Sequence, residues 1–195
     1  EIRRQWIAMT PQEEFWSGDF GDEYTRRNRV DWRARIPFWK DVINITGARS
    51  VFEFGCNAGW NLSAIKRAFP DVRSVGEEIN YKAIAQARSC EVECYKSVSL
   101  KYDVFELAFT AGVLIHISPE ELYNTMHKLV DASCDYVLAV EYEADEEQEV
   151  EYRGYKKRLW KRPYGGLYQE LGLKLVWKTP AEGFDNCTAW LMRKP

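Results

Sequence analysis

Histidine is scarce in this chain, with two among 195 residues, His116 and His127, so little acid–base chemistry near neutral pH is on offer. The five cysteines (Cys56, Cys90, Cys94, Cys134, Cys187) are odd in number and form no C-x-x-C pair. That pattern excludes a zinc site or a disulfide framework as the expectation and favours a reducing compartment. No apolar run approaches the roughly 18 to 20 residues needed to cross a bilayer, and the opening EIRRQWIAMT lacks a signal-peptide stretch. Excess positive charge is missing too: 27 basic against 30 acidic side chains leave a formal net charge of -3, with no overall field for nucleic acid. The expectation is a cytoplasmic protein with no membrane, metal or nucleic-acid partner.

Repeats and low-complexity linkers are also absent, and 46% hydrophobic residues supply the core of one compact domain, the default, or of one domain with a small appendage. Through the middle, short apolar runs alternate with helix-like segments, which is the α/β pattern. SVFEF (50–54) reads as a buried strand, and NLSAIKRAFP places Leu62, Ile65 and Phe69 at helical spacing before Pro70. RSVGEE, EVECYKSV, VFELAFTAGVLIHI and DYVLAVEYE supply four further strands, with YKAIAQAR as a helix between the first two. Ser118-Pro119-Glu120-Glu121 reads as a helix start, with serine at the cap, proline next and acids in the first turn; that helix should end near Asp131. GGLYQELG suggests a last helix, and LKLVWK and TAWLMRK two closing strands antiparallel to each other. Between them, residues 141–151 hold seven acids and residues 153–162 six basic side chains, which read as a solvated loop or helix face.

VFEFGCNAGWNL (51–62) carries the strongest local signal, a strand, a glycine-bearing turn and a helix, the cradle that doubly wound sheets use for nucleosides. A dinucleotide fingerprint needs G-x-G-x-x-G, but Asn57 and Trp60 stand where its second and third glycines belong. No G-K-[ST] follows, so a P-loop is excluded as well. What remains is acid-x-Gly-x-x-x-Gly, from Glu53 through Gly55 to Gly59, with Asn57 tolerant of a left-handed backbone. Glu78, 19 positions after Gly59, stands where a ribose-binding acid is expected, with Glu77 as the competing choice and Asn80 as a cap for the next helix.

This turn resembles the first motif of class I S-adenosylmethionine-dependent methyltransferases, E/D-x-G-x-G-x-G. Further pieces, FWSGDFGDEYTRRN, FEFGCNAGWNL, VGEEIN, FELAFTAGVLIHISPEEL and VEYRGY, are similar to the methyltransferases associated with pseudaminic acid biosynthesis, over about residues 15–190. The resemblance implies a Rossmann-like α/β fold, a seven-stranded, mostly parallel sheet with helices on both faces. Residues 1–49 would be a helical lid and 50–195 the S-adenosylmethionine domain. Glu53, Gly55, Cys56, Asn57 and Gly59 would surround the methionine end of the cofactor, and Glu78 would hold the ribose. Ile79, Ser97 and Val98 would border the adenine, and Thr110, Ala111 and Gly112 would lie near the sulfonium.

His116, just after the fourth strand, stands where such sheets bind ligands; it is either a general base or a structural hydrogen-bonder. Trp16, Phe20, Tyr24, Arg27 and Asn28 are lid candidates, Tyr142 and Tyr152 could line the acceptor side, and Arg27 and Arg153 could clamp a carboxylate. The same aromatics could instead simply pack on the sheet. The expected reaction moves a methyl group to oxygen or nitrogen of a small polar acceptor, such as a sugar or sugar-nucleotide. Two other readings stand beside it. One is an RNA or DNA methyltransferase using the basic stretches 26–35 and 153–162, although the N/D-P-P-Y/F motif is lacking; the other is a cofactor-binding module without chemistry.

Overall fold

The computed structural model describes residues 9–98 and 104–195. The first eight residues of the expected helical lid therefore lie outside the described residues. Three helices precede the first strand: α1 (Pro11–Ser17), α2 (Asp19–Arg27) and α3 (Ile36–Thr46). Thr10 and Glu13 form a reciprocal capping box on α1, which satisfies two donors at the helix start. Then follow β1 (Ser50–Phe54), α4 (Trp60–Ala68), β2 (Arg73–Glu77), α5 (Tyr81–Ser89), β3 (Glu93–Tyr95), β4 (Phe105–Ala111), α6 (Pro119–Ala132) and β5 (Ser133–Glu141). The chain continues through β6 (Gln148–Tyr152), β7 (Tyr155–Lys161), α7 (Tyr164–Glu170), β8 (Lys174–Pro180) and β9 (Thr188–Arg193).

The main sheet has seven strands in the order β3-β2-β1-β4-β5-β9-β8. β1 to β5 are parallel, and β9 runs antiparallel to both β5 and β8. This is the expected seven-stranded, mostly parallel α/β sheet. Strand side chains alternate between two buried layers: Val51, Leu107, Leu138 and Leu191 face α3, α4 and α5, whereas Phe52, Ala108, Val137 and Met192 face α6 and α7. Strand order reverses between β1 and β4, and a crevice opens at the carboxyl ends of the strands there. No helix among the described residues is long and apolar enough to cross a membrane.

Three features differ from the sequence-based expectation. The acidic and basic runs form a β-hairpin, β6–β7, rather than a loop or helix face. Its two-residue turn, Arg153-Gly154, has positive φ at both positions (52° and 82°), the twist that matches flanking strands. Val150, Tyr152 and Leu159 pack against the α6–α7 layer, so a few apolar contacts outweigh the polar composition. The third strand is shorter than EVECYKSV suggested, because beyond Tyr95 the chain bends until the Val98 amide donates to the Glu77 carboxylate at 2.8 Å. Finally, α3 is a core helix: Phe38, Trp39, Val42 and Ile43 are buried, and Trp39 lies 4.5 Å from Phe109 of β4 between ring centroids. Packing thus joins residues 36–46 to the sheet, and of the three described helices before β1 it is α1 and α2 that line the crevice.

Candidate functional site

The crevice holds a cavity of about 1080 Å³. That is at the upper end of the roughly 300–1,000 Å³ typical of ligand sites, enough for two reactants side by side. Its floor is the loop between β1 and α4. Gly55 and Gly59 both take a left-handed backbone, with φ of 72° and 75°, and Asn57 does the same at 47°, the conformation expected of it. A Cβ at Gly55 would stand 2.7 Å from a Val113 methyl, and one at Gly59 would stand 3.0 Å from Val92. The loop's own packing, as much as any ligand's approach, therefore requires these glycines.

Glu53 is 1% exposed at the end of β1. Its Oε1 accepts from Asn61 Nδ2 at 2.6 Å, and Arg35 Nη1 donates to Asn61 Oδ1 at 2.9 Å. Oε2 has no hydrogen-bond partner, and neither does the buried Oδ1 of Asn57. Burial pushes the Glu53 carboxyl up to about 8, against the opposing pull of Asn61 and Arg35. A carboxyl this costly to ionise, facing a cavity beside a second unpartnered acceptor, lacks a cationic donor.

Glu78 lines the same cavity and accepts from the amides of Asn57 and Asn80, each at 2.8 Å, one on each oxygen. Burial raises its pKa, partly offset by these amides. Each oxygen keeps a second lone pair for a ligand hydroxyl. Glu77 is differently employed, since its carboxylate ties Val98 and Lys128 together. Asn80 caps α5, as its position suggested, and its Nδ2 reaches Asp22 of α2 at 2.9 Å.

On the far side of the cavity, β4 ends at Ala111 and the chain makes a short helical turn over Leu114–His116. Glu141, fully buried at the end of β5, accepts from the amides of Val113 and Leu114 at 3.1 Å and of Ile115 at 3.2 Å. Burial still pushes its carboxyl up to about 7. Arg162, 1% exposed after β7, donates to the carbonyls of Leu114 (2.9 Å) and Ile117 (3.0 Å) and pairs with Glu147 at 2.6 Å. Gln12 of α1 donates to the His116 carbonyl, and its side-chain oxygen accepts from Arg158 at 2.6 Å.

The His116 ring is buried between Trp16 and Tyr152, at 4.6 and 4.9 Å between centroids. Its Nδ1 lies 2.6 Å from the Arg158 carbonyl. A carbonyl only accepts, so Nδ1 carries the proton and Nε2 the free lone pair. Burial drives the imidazole pKa down to about 4, against the pull of that hydrogen bond, so the ring is neutral at physiological pH.

The cavity brings together Glu53, Gly55, Cys56, Asn57, Glu78, Ile79, Ser97, Ala111, Gly112 and His116, with Trp16, Tyr24, Asn28, Tyr142 and Tyr152 from the lid and acceptor candidates. Other candidates lie behind or beside it. Gly59 begins α4, Val98 gives its amide to Glu77, and Thr110 is fully buried beside Glu141. Phe20 stacks on Phe15 at 4.1 Å, and the Arg27 guanidinium covers Phe20 and Tyr24 at 5.1 and 5.6 Å. Arg153 is exposed at the hairpin tip, where it serves the turn.

Sequence reasoning missed Arg35, Asn61, Gln12, Glu141 and Arg162, whose partners lie far along the chain. Only Asn61, eight residues after Glu53 on the same strand–loop–helix unit, gave a local signal. Within the basic stretches 26–35 and 153–162, Arg35 lines the cavity and Arg162 is buried.

No family model matches the sequence, and no curated protein matches it. Solved structures do. The chain is similar to a magnesium protoporphyrin IX methyltransferase from Synechocystis with bound SAM: TM-score 0.68 and 11% identity, covering 97% of this chain and 100% of that one. A sugar N-methyltransferase from a Streptoalloteichus species gives 0.68 at 13% identity, over 100% and 98% of the two chains. A 1,6-didemethyltoxoflavin-N1-methyltransferase from Burkholderia thailandensis, with its substrate and S-adenosylhomocysteine bound, gives 0.69 at 14%, over 96% and 92%. At these identities the likeness is one of fold, and the fold is that of class I methyltransferases.

Proposed function

We propose that this chain is an S-adenosylmethionine-dependent methyltransferase acting on oxygen or nitrogen of a small polar acceptor. The observation that carries the reading is the pair of buried, unpartnered acceptors, Glu53 Oε2 and Asn57 Oδ1, on the wall of a cavity at the sheet's switch point. An ammonium group supplies the donors and the charge they lack. Glu53 and Asn57 would hold the amino group of the cofactor's methionine end, and Arg35, which also lines the cavity, its carboxylate. Glu78 would accept from the ribose hydroxyls, with Ile79 and Ser97 bordering the adenine. Bound there, S-adenosylmethionine supplies a methyl group on a positively charged sulfur.

Ala111 and Gly112 leave room beside that position, and α1 with α2 closes over it, excluding water. Acceptor and donor held in contact account for much of the acceleration of such a displacement. A sugar acceptor is favoured by the motif pieces shared with the pseudaminic acid-associated methyltransferases and by the fold shared with a sugar N-methyltransferase. Calorimetric titration with S-adenosylhomocysteine tests the reading. One-to-one binding in the micromolar range is expected; folded protein that takes up none overturns it.

A further inference from the structure

The turn that carries His116 is held more tightly than a surface turn needs to be. Every backbone amide from Val113 to Ile117 donates: the first three to Glu141, the last two within the turn. The carbonyls of Leu114 and Ile117 accept from Arg162, and that of His116 accepts from Gln12. A buried carboxyl, a buried guanidinium and a buried amide, drawn from β5, the hairpin and α1, thus fix the backbone of the turn, and the Arg158 carbonyl fixes the imidazole it carries. Buried charges are costly unless fully paired, and such over-determination is the mark of a side chain whose position matters to better than an ångström.

We propose that His116 Nε2 takes the proton of the acceptor, that Glu141, Arg162 and the Arg158 carbonyl position it, and that the acceptor is an uncharged ring bearing O–H or N–H. The methyl-transfer reading enters only as the source of the electrophile. In the step, the acceptor's bond to hydrogen breaks and the proton goes to Nε2. The acceptor heteroatom forms its new bond to the methyl carbon, the sulfonium leaves as a neutral thioether, and the imidazolium returns its proton to water. The ring preference comes from the aromatic lining, since Trp16 and Tyr152 pack against the histidine and Tyr24, also lining the cavity, meets Trp16 edge to face at 5.3 Å.

The absence of charge on the acceptor comes from where the cations sit. The basic side chains lining the cavity are Arg35, Lys96 and Lys128. Arg35 is bonded to Asn61 at the methionine end, Lys96 approaches Tyr81 at 3.1 Å, and Lys128 pairs with Glu77. Each of the three is thus engaged with a partner other than His116. The elements packed around the ring carry, among other groups, Glu13 and Glu14 on α1, Glu141 on β5, Glu149, Glu151 and Tyr152 on β6, Lys156, Lys157, Arg158 and Lys161 on β7 and Arg162 after it, and the Arg158 Nε is buried without a hydrogen-bond partner among the described residues. Of these, Glu141 and Arg162 are occupied by the turn's backbone, and Arg158 by Gln12.

Nitrogen NMR on histidine-labelled protein reads the proposal directly, because the chain has only two histidines and a His127→Gln variant assigns them. The expected spectrum shows His116 protonated at Nδ1 and bare at Nε2, unchanged between about pH 5.5 and 8. The opposite tautomer overturns the base assignment whether or not the cofactor binds. The S-adenosylhomocysteine-saturated protein is then titrated to millimolar levels with catechol, methyl glucoside and glucose 1-phosphate. A shift at Nε2 with either uncharged ring supports the acceptor class, and which ring responds separates aromatic from sugar acceptors. A response to the phosphorylated probe alone, or to none, overturns that class. His116→Asn, whose amide can still donate toward Arg158, should bind S-adenosylhomocysteine within about twofold of the unmodified chain.

Discussion

The two walls of the cavity treat their polar atoms in opposite ways. The loop over residues 53–59 leaves Glu53 Oε2 and Asn57 Oδ1 without partners, while the turn over residues 113–117 has every amide satisfied and its histidine held by the Arg158 carbonyl. One wall is built to receive a ligand's donors, and its stability is completed by binding. The other has its backbone amides satisfied before anything binds, which suits a group that must already be in place when a proton moves.

The sharpest way to break the contrast is at the histidine. His116→Asn should lower turnover by about 100- to 10,000-fold, the usual contribution of a general base, with cofactor-product affinity preserved; equal losses in both would make the residue merely structural. Arg162→Met attacks the closed wall from behind. It leaves the buried Leu114 and Ile117 carbonyls without their side-chain donors and should destabilise the fold by about 3 kcal/mol, a fall in Tm of roughly 6–12 °C for a chain this size. Scanning calorimetry checks it, and an unchanged Tm would show the turn to be held by other means.

The open wall is probed at Glu53. Its carboxyl sits at about 8 in the folded chain against an ordinary 4.5, so between those values the folded state keeps a proton that the unfolded state has lost. Unliganded stability therefore falls as pH rises through that window and levels off above about 8. An ammonium ligand prefers the ionised carboxylate, so S-adenosylhomocysteine affinity should run the other way, strengthening from pH 6 toward 8 with release of a proton. Glu53→Gln should weaken binding by about 10- to 100-fold, corresponding to a charged hydrogen bond of roughly 1.5–3 kcal/mol, should flatten the pH dependence of binding, and should shrink the fall in stability, the remainder of which comes from Glu141 and Glu78. Calorimetry in buffers of different ionisation enthalpy counts the proton.

Smaller effects sharpen the distinction between backbone and ligand. Gly59→Ala forces a side chain into a left-handed backbone against Val92 and should cost about 1–2 kcal/mol of stability by chemical denaturation. Arg153→Asn should raise Tm slightly, since Asn-Gly suits the hairpin turn, and should leave S-adenosylhomocysteine affinity within twofold. A large loss of affinity there would restore Arg153 to the site.

What could be read from the sequence follows the same division. The open wall is local: Glu53, Gly55, Asn57, Gly59 and Glu78 lie within 26 residues on two adjacent strand–loop–helix units, where spacing and the family resemblance both pointed to them. The five parallel strands and the antiparallel closing pair were legible for the same reason, as apolar runs with clear ends. The closed wall is assembled from residues 12, 116, 141, 158 and 162, which no spacing rule connects. The hairpin that supplies two of them was hidden because half of its strand residues are charged, β6 is only five residues long and β7 lacks the apolar alternation that marks a strand. Arg35 was hidden too, since nothing near it in sequence announces Asn61 or Gly183 as its partners.

A crystal structure of the protein with S-adenosylhomocysteine tests the central claim most directly. The account predicts the ligand's amino group within hydrogen-bonding distance of Glu53 Oε2 and Asn57 Oδ1, with its ribose on Glu78. An adenosyl group bound elsewhere, or an amino end turned away from Glu53, would contradict it.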